Sequence, residues 1–215
     1  MNFTPNAEKV CAAAAKGCRS TDPSDKLITR LTEGQIKRVL RTAIKKKHLS
    51  VMEHATFTFS ASGVSRTLTH QLVRHRIASY SQQSQRYVRF NKPVFKTPPT
   101  IARNSELNGR YRRCMRLIWS TYRDLIANGV SEEDARFVLP NATLTNITIT
   151  MNARELLHFF ELRCCSRAQW EIRQMATLML RKVKVIAPIM FEHAGPPCDD
   201  CSEPCLRPGK RDEEI

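Results

Sequence analysis

Three consecutive side chains in the first half of the chain, Arg74, His75 and Arg76, each carry a charge or a proton, and Ser84 and Arg86 follow shortly after. Neighbouring cationic groups repel one another, and these three side chains cannot all face solvent on one helical turn. Core packing does not require it, so the pattern indicates that an anion collects these side chains. A short basic run taken alone has a second interpretation, a solvated helix end, and the other polar blocks of the chain decide against it.

Those blocks combine guanidinium, imidazole, amide and hydroxyl groups, which are the donors that bind phosphate and polarised carbonyl groups. In chain order they are Glu53-His54, Gln71, Arg74-His75-Arg76, Ser84 with Arg86-Tyr87, Ala135 to Pro140, Asn152 to Leu156, Leu162-Arg163 and Ala168 to Arg173. The order of these blocks carries more information about function than any one of them.

The elements that must position these residues follow from periodicity and capping signals. The predicted helices are Pro5 to Lys16, Thr32 to Lys47, Ser65 to about Arg76, Arg103 to Asn128, a short helix that opens at Ser131, Asn152 to Leu162 and Ala168 to Ile186. The predicted strands are Glu53 to Ala61 and Thr143 to Met151. Helices that bracket a few strands without regular alternation predict an α+β domain.

Two of these elements carry candidate site residues on defined faces. On the helix that begins at Ser65, Gln71, Arg74 and His75 share a face through their three- and four-residue spacing. On the first strand, the period of two places His54 on the polar side, opposite the apolar side chains.

Composition limits the class of protein. A chain of 215 residues with 41% apolar content is expected to form one domain with its own core, assigned to residues 1–195, and a Cys- and Pro-rich tail, 196–215. We find no long apolar run and no secretory signal pattern, which predicts a cytoplasmic protein with reduced thiols and no membrane association. The net charge of +15 implies an anionic partner, either nucleic acid or small phosphorylated ligands.

The ordered blocks closely resemble the flavin-dependent thymidylate synthases. Arg-His-Arg, seven residues and then Ser84 is the signature of that family, and the later blocks match it independently. The resemblance covers roughly Thr4 to Gly195. It implies a small, mostly antiparallel sheet flanked by helices, and a homotetramer with active sites shared between subunits. It also implies conversion of dUMP to dTMP with methylenetetrahydrofolate as carbon donor, FAD as hydride carrier and NADPH as reductant.

The resemblance also assigns individual residues, and it implies no metal. The expected dUMP contacts are Gln71, Arg74, Gln82, Gln83, Ser84, Gln85, Arg86, Arg136 and Arg163. The expected FAD contacts are Thr56, Arg74, His75, Arg76, Gln82, Asn152, Ala153, Arg154 and His158. His54 has two open interpretations, a flavin or folate contact and a hydrogen-bonded strand histidine.

Arg163 is the expected catalytic residue. Carbon 5 of uracil is a poor nucleophile until negative charge develops in the ring, and a fixed guanidinium beside the ring carbonyl and imide nitrogen stabilises that charge. Ser84 is expected to contact phosphate or ribose. The family dispenses with a covalent cysteine, so Cys164 and Cys165 are interpreted as small residues packed near a helix end.

The chain departs from the family pattern at two places. Arg167 stands where many members carry a histidine, so no cofactor contact is assigned to it. The strand that usually opens the family is reduced to Asn2-Phe3-Thr4, so one edge of the sheet is expected to be short.

The alternative function is a basic nucleic-acid-binding protein with a zinc-binding tail. His193, Cys198, Cys201 and Cys205 have donor types suited to zinc, but their spacing is closer than in ordinary zinc modules, which favours reduced thiols. Against nucleic-acid binding, aromatic residues make up only 7% of the chain and form no run of stacking positions.

Overall fold

The computed structural model describes residues 1–198, which form four strands and nine α-helices. The strands are β1 (Asn2–Phe3), β2 (Thr56–Ser65), β3 (Ala78–Gln82) and β4 (Leu144–Asn152). The α-helices are α1 (Ala7–Gly17), α2 (Ser24–Arg30), α3 (Glu33–Lys45), α4 (Arg66–Leu72), α5 (Pro99–Ala102), α6 (Ser105–Ala127), α7 (Glu132–Ala135), α8 (Ala153–Arg163) and α9 (Trp170–Ile186). Two short 3₁₀ helices are Leu49–His54 and Arg136–Val138.

The strands form one small antiparallel sheet in the order β1-β2-β4-β3. At its edge, β1 pairs with β2 through Asn2 opposite Thr58 and Phe3 opposite Phe57. The α+β class and the short edge strand are therefore confirmed. No helix within residues 1–198 has the length and apolar content needed to cross a membrane.

Two predicted elements differ from the structure. Strand β2 begins at Thr56 and not at Glu53, because the preceding residues form a 3₁₀ helix that ends at His54, so the placement of His54 on a strand is wrong. Ser65 does cap α4 by accepting from the backbone N–H of Leu68.

Helix α4 ends at Leu72, four residues before the predicted end. Gln71, Arg74 and His75 therefore do not share a helical face. The chain beyond Leu72 is not helical, and there His75 is buried in contact with Glu155. The residues near His75 in the sequence do not indicate this distant contact.

The described chain divides into two compact units. Unit 1 comprises residues 1–59, 75–79 and 149–198, and unit 2 comprises residues 60–74 and 80–148. The core of unit 1 includes a set of edge-to-face aromatic rings. Phe191 contacts Phe57 and Phe160 at ring-centroid distances of 5.6 and 5.9 Å, and Phe160 contacts Phe159 at 5.7 Å. All four rings are fully buried, so they stabilise the helices that carry the site residues of this unit.

Within unit 1, the first helix is tied to the segment that follows α9. The Glu8 carboxylate accepts hydrogen bonds from the backbone N–H groups of Ile189 and Met190, at 2.6 and 3.0 Å. Burial raises the pKa of Glu8, and these two hydrogen bonds act in the opposite direction.

The core of unit 2 is a second aromatic cluster, made of Phe90, Trp119 and Tyr122 with Ala135. The Trp119 ring lies 5.6 Å from Phe90 and 5.7 Å from Tyr122, in both cases edge to face. Because Ala135 ends α7 and Phe90 follows the Ser84 loop, this cluster fixes two segments that carry predicted site residues of unit 2.

Candidate functional site

The predicted site residues fall into two groups, one in each unit. Those in unit 1 are His54, Thr56, His75, Arg76, Asn152, Ala153, Arg154, His158 and Arg163. Those in unit 2 are Gln71, Arg74, Gln82, Gln83, Ser84, Gln85, Arg86 and Arg136.

In unit 1, Glu155, His75 and Arg163 form a hydrogen-bonded set, here called the buried triad. His75 Nδ1 lies 3.0 Å from Glu155 Oε1, and Arg163 Nε donates to His75 Nε2 at 3.0 Å. His75 and Glu155 are only 4% and 6% exposed. The triad therefore connects a buried carboxylate to the predicted catalytic guanidinium.

The chemistry of arginine fixes the proton positions in the buried triad. A guanidinium has donors and no acceptor, so Nε2 of His75 must be the unprotonated nitrogen. Nδ1 then carries the proton and donates it to Glu155. Burial lowers the pKa of His75, the charges of Arg163 and His158 act in the same direction, and the hydrogen bond to Glu155 opposes them. The imidazole is accordingly neutral at pH 7.

Because His75 is neutral in the folded protein, we expect the free energy of unfolding to decrease in acid. Because the pKa of His75 is lower in the folded state, the unfolded chain binds more protons below about pH 6.5. The free energy of unfolding should then fall as pH drops through that value. Urea titrations at about pH 7.5 and about pH 5.5 measure this difference. We expect it to be smaller for His75→Gln, which removes the titrating group, and an equal difference in both proteins would contradict the assignment.

The start of α8 carries three of the predicted cofactor residues. The Asn152 side chain caps the helix by accepting from the backbone N–H of Glu155 at 2.8 Å. The backbone N–H of Ala153 donates to the Ala55 carbonyl at 2.8 Å, and Arg154 Nη1 donates to Glu53 Oε1 at 2.6 Å. The segment before β2 thus fixes both the backbone and the guanidinium at this helix end.

The other predicted residues of unit 1 differ in exposure. His158 is exposed, and its ring lies 5.7 Å from that of His75. Thr56 Oγ1 lies 3.2 Å from Thr4 Oγ1, a hydrogen bond in which either hydroxyl can donate. Arg76 and His54 are exposed.

These side chains fit a flavin dinucleotide in their donor chemistry. Arg76 and Arg154 present exposed guanidinium groups, which suit a diphosphate, and His158 adds an exposed aromatic ring. His75 differs from the rest because its ring is buried and both nitrogens are engaged within the triad. His75 would therefore act on a bound cofactor through the residues that it contacts, Glu155 and Arg163.

In unit 2, Glu133 brings two predicted dUMP residues together. Its carboxylate accepts from Arg86 Nη2 at 2.7 Å, and its backbone carbonyl accepts from Arg136 Nε at 3.0 Å. Arg66 belongs to the same set: burial lowers its pKa, and the charge of Arg136 adds to that effect. Arg66, Arg86 and Arg136 are here called the arginine cluster. Its mutual repulsion would be relieved by a bound anion.

The glutamines and the serine of the signature lie around β3 and the turn that follows it. Gln82 Nε2 donates to Thr69 Oγ1 at 3.1 Å, and the backbone N–H of Gln83 donates to the Asn146 carbonyl at 2.9 Å. Ser84 Oγ accepts from the backbone N–H of Arg86 at 3.0 Å, which shapes the turn that presents Arg86.

The remaining predicted dUMP residues of unit 2 follow the same segments. Gln85 is half-buried in the turn after Ser84. Gln71 lies in the last turn of α4, and the exposed Arg74 follows just after the helix, with its backbone N–H bonded to the Gln71 carbonyl at 3.4 Å.

Only part of the zinc set considered from the sequence lies within the described residues, namely His193 and Cys198. Cys201 and Cys205 lie outside the described residues. Among residues 1–198, no three His, Cys, Asp or Glu side chains are grouped as a metal site requires.

Sequence reasoning did not assign two acidic residues that contact predicted site residues, Glu155 in unit 1 and Glu133 in unit 2. Glu155 is three residues after the cap residue Asn152, and that spacing by itself indicates only a helix N-terminus. Glu133 lies in the first turn of α7, where acidic residues are ordinary. The excess of basic over acidic residues could have pointed to them. Because acidic residues are in the minority, each one is a candidate partner for a predicted basic site residue.

The comparisons with known proteins agree on one family. Residues 1–189 match the family model described as thymidylate synthase complementing protein. The flavin-dependent thymidylate synthase of Geobacter sulfurreducens is 47% identical over 217 residues, which covers 99% of this chain and 94% of that protein. The flavin-dependent thymidylate synthase of Clostridium tetani is 43% identical over 232 residues, covering 99% and 93%.

A solved structure supports the fold. The crystal structure of the UMP/dUMP methylase PolB from Streptomyces cacaoi, bound with 5-Br dUMP, matches with a TM-score of 0.79. The match covers 89% of this chain and 91% of that chain, at 22% sequence identity. At this level of identity the likeness concerns the arrangement of the backbone.

Proposed function

The chain belongs to the family of flavin-dependent thymidylate synthases, and we propose that it catalyses the reductive methylation of dUMP to dTMP. Methylenetetrahydrofolate is the proposed carbon donor, and NADPH is the proposed reductant of bound FAD. We further propose a cytoplasmic homotetramer in which different subunits contribute residues to each active site.

The observation that carries this proposal is the hydrogen bond between Arg163 and a neutral, buried His75. An imidazole acceptor is uncharged, so this contact orients the guanidinium without cancelling its charge. A fixed positive charge of this kind stabilises negative charge as it develops on the uracil carbonyl and imide nitrogen, which makes carbon 5 nucleophilic. Arg163 is therefore the proposed catalytic residue.

The arginine cluster is the proposed site for the 5′-phosphate of dUMP. A phosphate dianion offers several acceptor oxygens, and guanidinium groups bind such oxygens through charge-assisted hydrogen bonds. Because Arg86 is paired with the Glu133 carboxylate, the phosphate must compete with that carboxylate for Arg86. The backbone carbonyl of Glu133 holds Arg136 nearby, which keeps a second cation in place during the exchange.

The proposed cofactor residues bind and orient FAD through charge and hydrogen bonding. Arg76 and Arg154 are the candidates for the diphosphate, and the hydrogen bond from Arg154 to Glu53 limits the directions in which that guanidinium can point. FAD, when bound, supplies the hydride that completes the methyl group.

The proposal is tested with the purified full-length protein. We expect the absorption spectrum of an oxidised flavin, and release of tritium from dUMP labelled at carbon 5 that depends on both methylenetetrahydrofolate and NADPH. Folded protein that binds neither FAD nor dUMP would refute the proposal.

Removal of Arg86 tests the phosphate site. We expect Arg86→Ala to raise the KM for dUMP about 10–100-fold, because a charge-assisted contact to the phosphate is lost. Arg89→Ala is the matched control, since Arg89 pairs with Glu132 in the same way, at 2.7 Å, and is not assigned to the substrate. Initial rates at varied dUMP concentrations give the KM of both variants. Equal KM values for Arg86→Ala and the unaltered enzyme would exclude Arg86 from the site.

The alternative function, a nucleic-acid-binding protein with a zinc tail, is not supported by the comparisons. Measurement of DNA retention at low and high salt would detect it, because such binding is salt-sensitive.

A further inference from the structure

Glu155 is a buried acid that the proposed reaction leaves without a role. It lies in the first turn of α8, where its backbone is held by the Asn152 cap, and its carboxylate contacts the ring of His75 at 3.0 Å. A buried carboxylate requires a partner that compensates its desolvation. The partner here is an imidazole whose other nitrogen contacts Arg163.

The environment of His75 comes largely from α8. The Phe159 ring packs edge-on at a centroid distance of 5.0 Å, and the His158 ring lies at 5.7 Å. The charged and titratable groups that face the imidazole include Glu155, His158 and Arg163. Among these, Glu155 is the acceptor that lies within hydrogen-bond distance of Nδ1, at 3.0 Å, and so selects the tautomer of His75.

The tautomer determines whether Arg163 can keep its position. With the proton on Nδ1, Nε2 offers a lone pair to the Nε–H of Arg163. With the proton on Nε2, two N–H groups would face each other, and the guanidinium would turn away. The carboxylate therefore orients the guanidinium through the imidazole, as the buried Asp of a Ser-His-Asp triad holds its histidine in one tautomer.

We propose that Glu155 is a positioning residue for the reaction: it holds His75 in the Nδ1-protonated tautomer, and His75 in turn holds the Arg163 guanidinium in its catalytic orientation. The kinetic part of this proposal rests on the proposed function, whereas the tautomer of His75 does not.

The test compares Glu155→Gln with Glu161→Gln. Both changes remove one carboxylate from α8, but Glu161 is exposed, which makes it the control for net charge. For Glu155→Gln we expect kcat to fall about 10–100-fold, the size that follows when a catalytic group is displaced by about 1 Å. The KM for dUMP should change much less, because the phosphate contacts remain. Glu161→Gln should behave as the unaltered enzyme does.

The second readout is independent of turnover. Nitrogen-15 NMR of histidine-labelled protein separates the two tautomers among the six histidines of the chain, and His75→Gln identifies the resonance of His75. We expect a neutral ring with the proton on Nδ1 in the unaltered protein. In Glu155→Gln we expect loss of that single tautomer, because the amide can donate to Nδ1 through its NH₂ group as well as accept from it, whereas the carboxylate can only accept.

The outcomes separate this proposal from the proposed function. If the unaltered protein makes no dTMP, the reaction is wrong, and the NMR result still decides the tautomer. If it makes dTMP while folded Glu155→Gln keeps both its kcat and its single tautomer, the role of Glu155 is wrong. If Glu155→Gln does not fold, the unaltered protein decides: an Nε2-protonated or doubly protonated His75 overturns the proposal.

Discussion

Arg163→Ala should lower kcat for dTMP formation about 10²–10³-fold, the loss measured elsewhere when one preorganised donor to a developing anion is removed. The change leaves the apolar core of α8 intact, because the deleted side chain is only half-buried at the end of that helix. Flavin absorbance and the far-UV circular dichroism spectrum should therefore remain close to those of the unaltered protein. Tritium release from labelled dUMP measures the catalytic step.

Arg163→Lys separates charge from geometry. Lysine keeps the positive charge but replaces the planar guanidinium with a single ammonium group. We expect its rate to lie between those of the unaltered enzyme and Arg163→Ala. Turnover by Arg163→Ala at the rate of the unaltered enzyme would show that another group activates the uracil ring.

Trp119→Ala should destabilise the protein by about 3–5 kcal/mol, the usual loss for a large aromatic side chain removed from a core. Trp119 is fully buried against Phe90 and Tyr122, and its removal leaves a cavity that those rings cannot fill. This loss is a large part of the about 5–15 kcal/mol by which domains are stable. Urea unfolding followed by circular dichroism, at one fixed protein concentration, measures it.

Leu117→Ala is the matched control for this change. Leu117 is on the same helix, α6, and is 68% exposed. Its truncation should change the free energy of unfolding by no more than about 0.5 kcal/mol. Equal losses in the two variants would mean that the aromatic cluster does not stabilise unit 2.

Local sequence signals predicted most helices of this fold. Thr32 caps α3 with a reciprocal capping box, and the helix that runs to Gly129 was predicted within about two residues of each end of α6, the usual precision for boundaries. The alternation before Phe59 also identified the buried side of β2 correctly. These features depend on residues close together in the chain, and the sequence therefore contains them directly.

The errors occurred where a distant contact overrides the local pattern. Periodicity continued α4 through the basic run, but His75 is buried against Glu155, eighty residues away in the chain. The acidic partners of the predicted arginines could not be identified from nearby residues for the same reason. Glu133, for example, contacts Arg86 from forty-seven residues away in the chain. The family resemblance named the basic side chains, and only the fold paired them with acids.

The hydrogen bonds between Glu8 and the backbone of Ile189 and Met190 bear on how this polypeptide matures. The carboxylate belongs to α1, and its two partners follow 181 and 182 residues later in the chain. Helix α1 packs against α2, α3 and the 3₁₀ helix Leu49–His54, which follow it directly in the chain, but the Glu8 carboxylate lacks these two backbone partners until the end of unit 1 has been made. Closure of unit 1 therefore requires that both of its outer segments have been synthesised, and the residues of unit 2 are made between them.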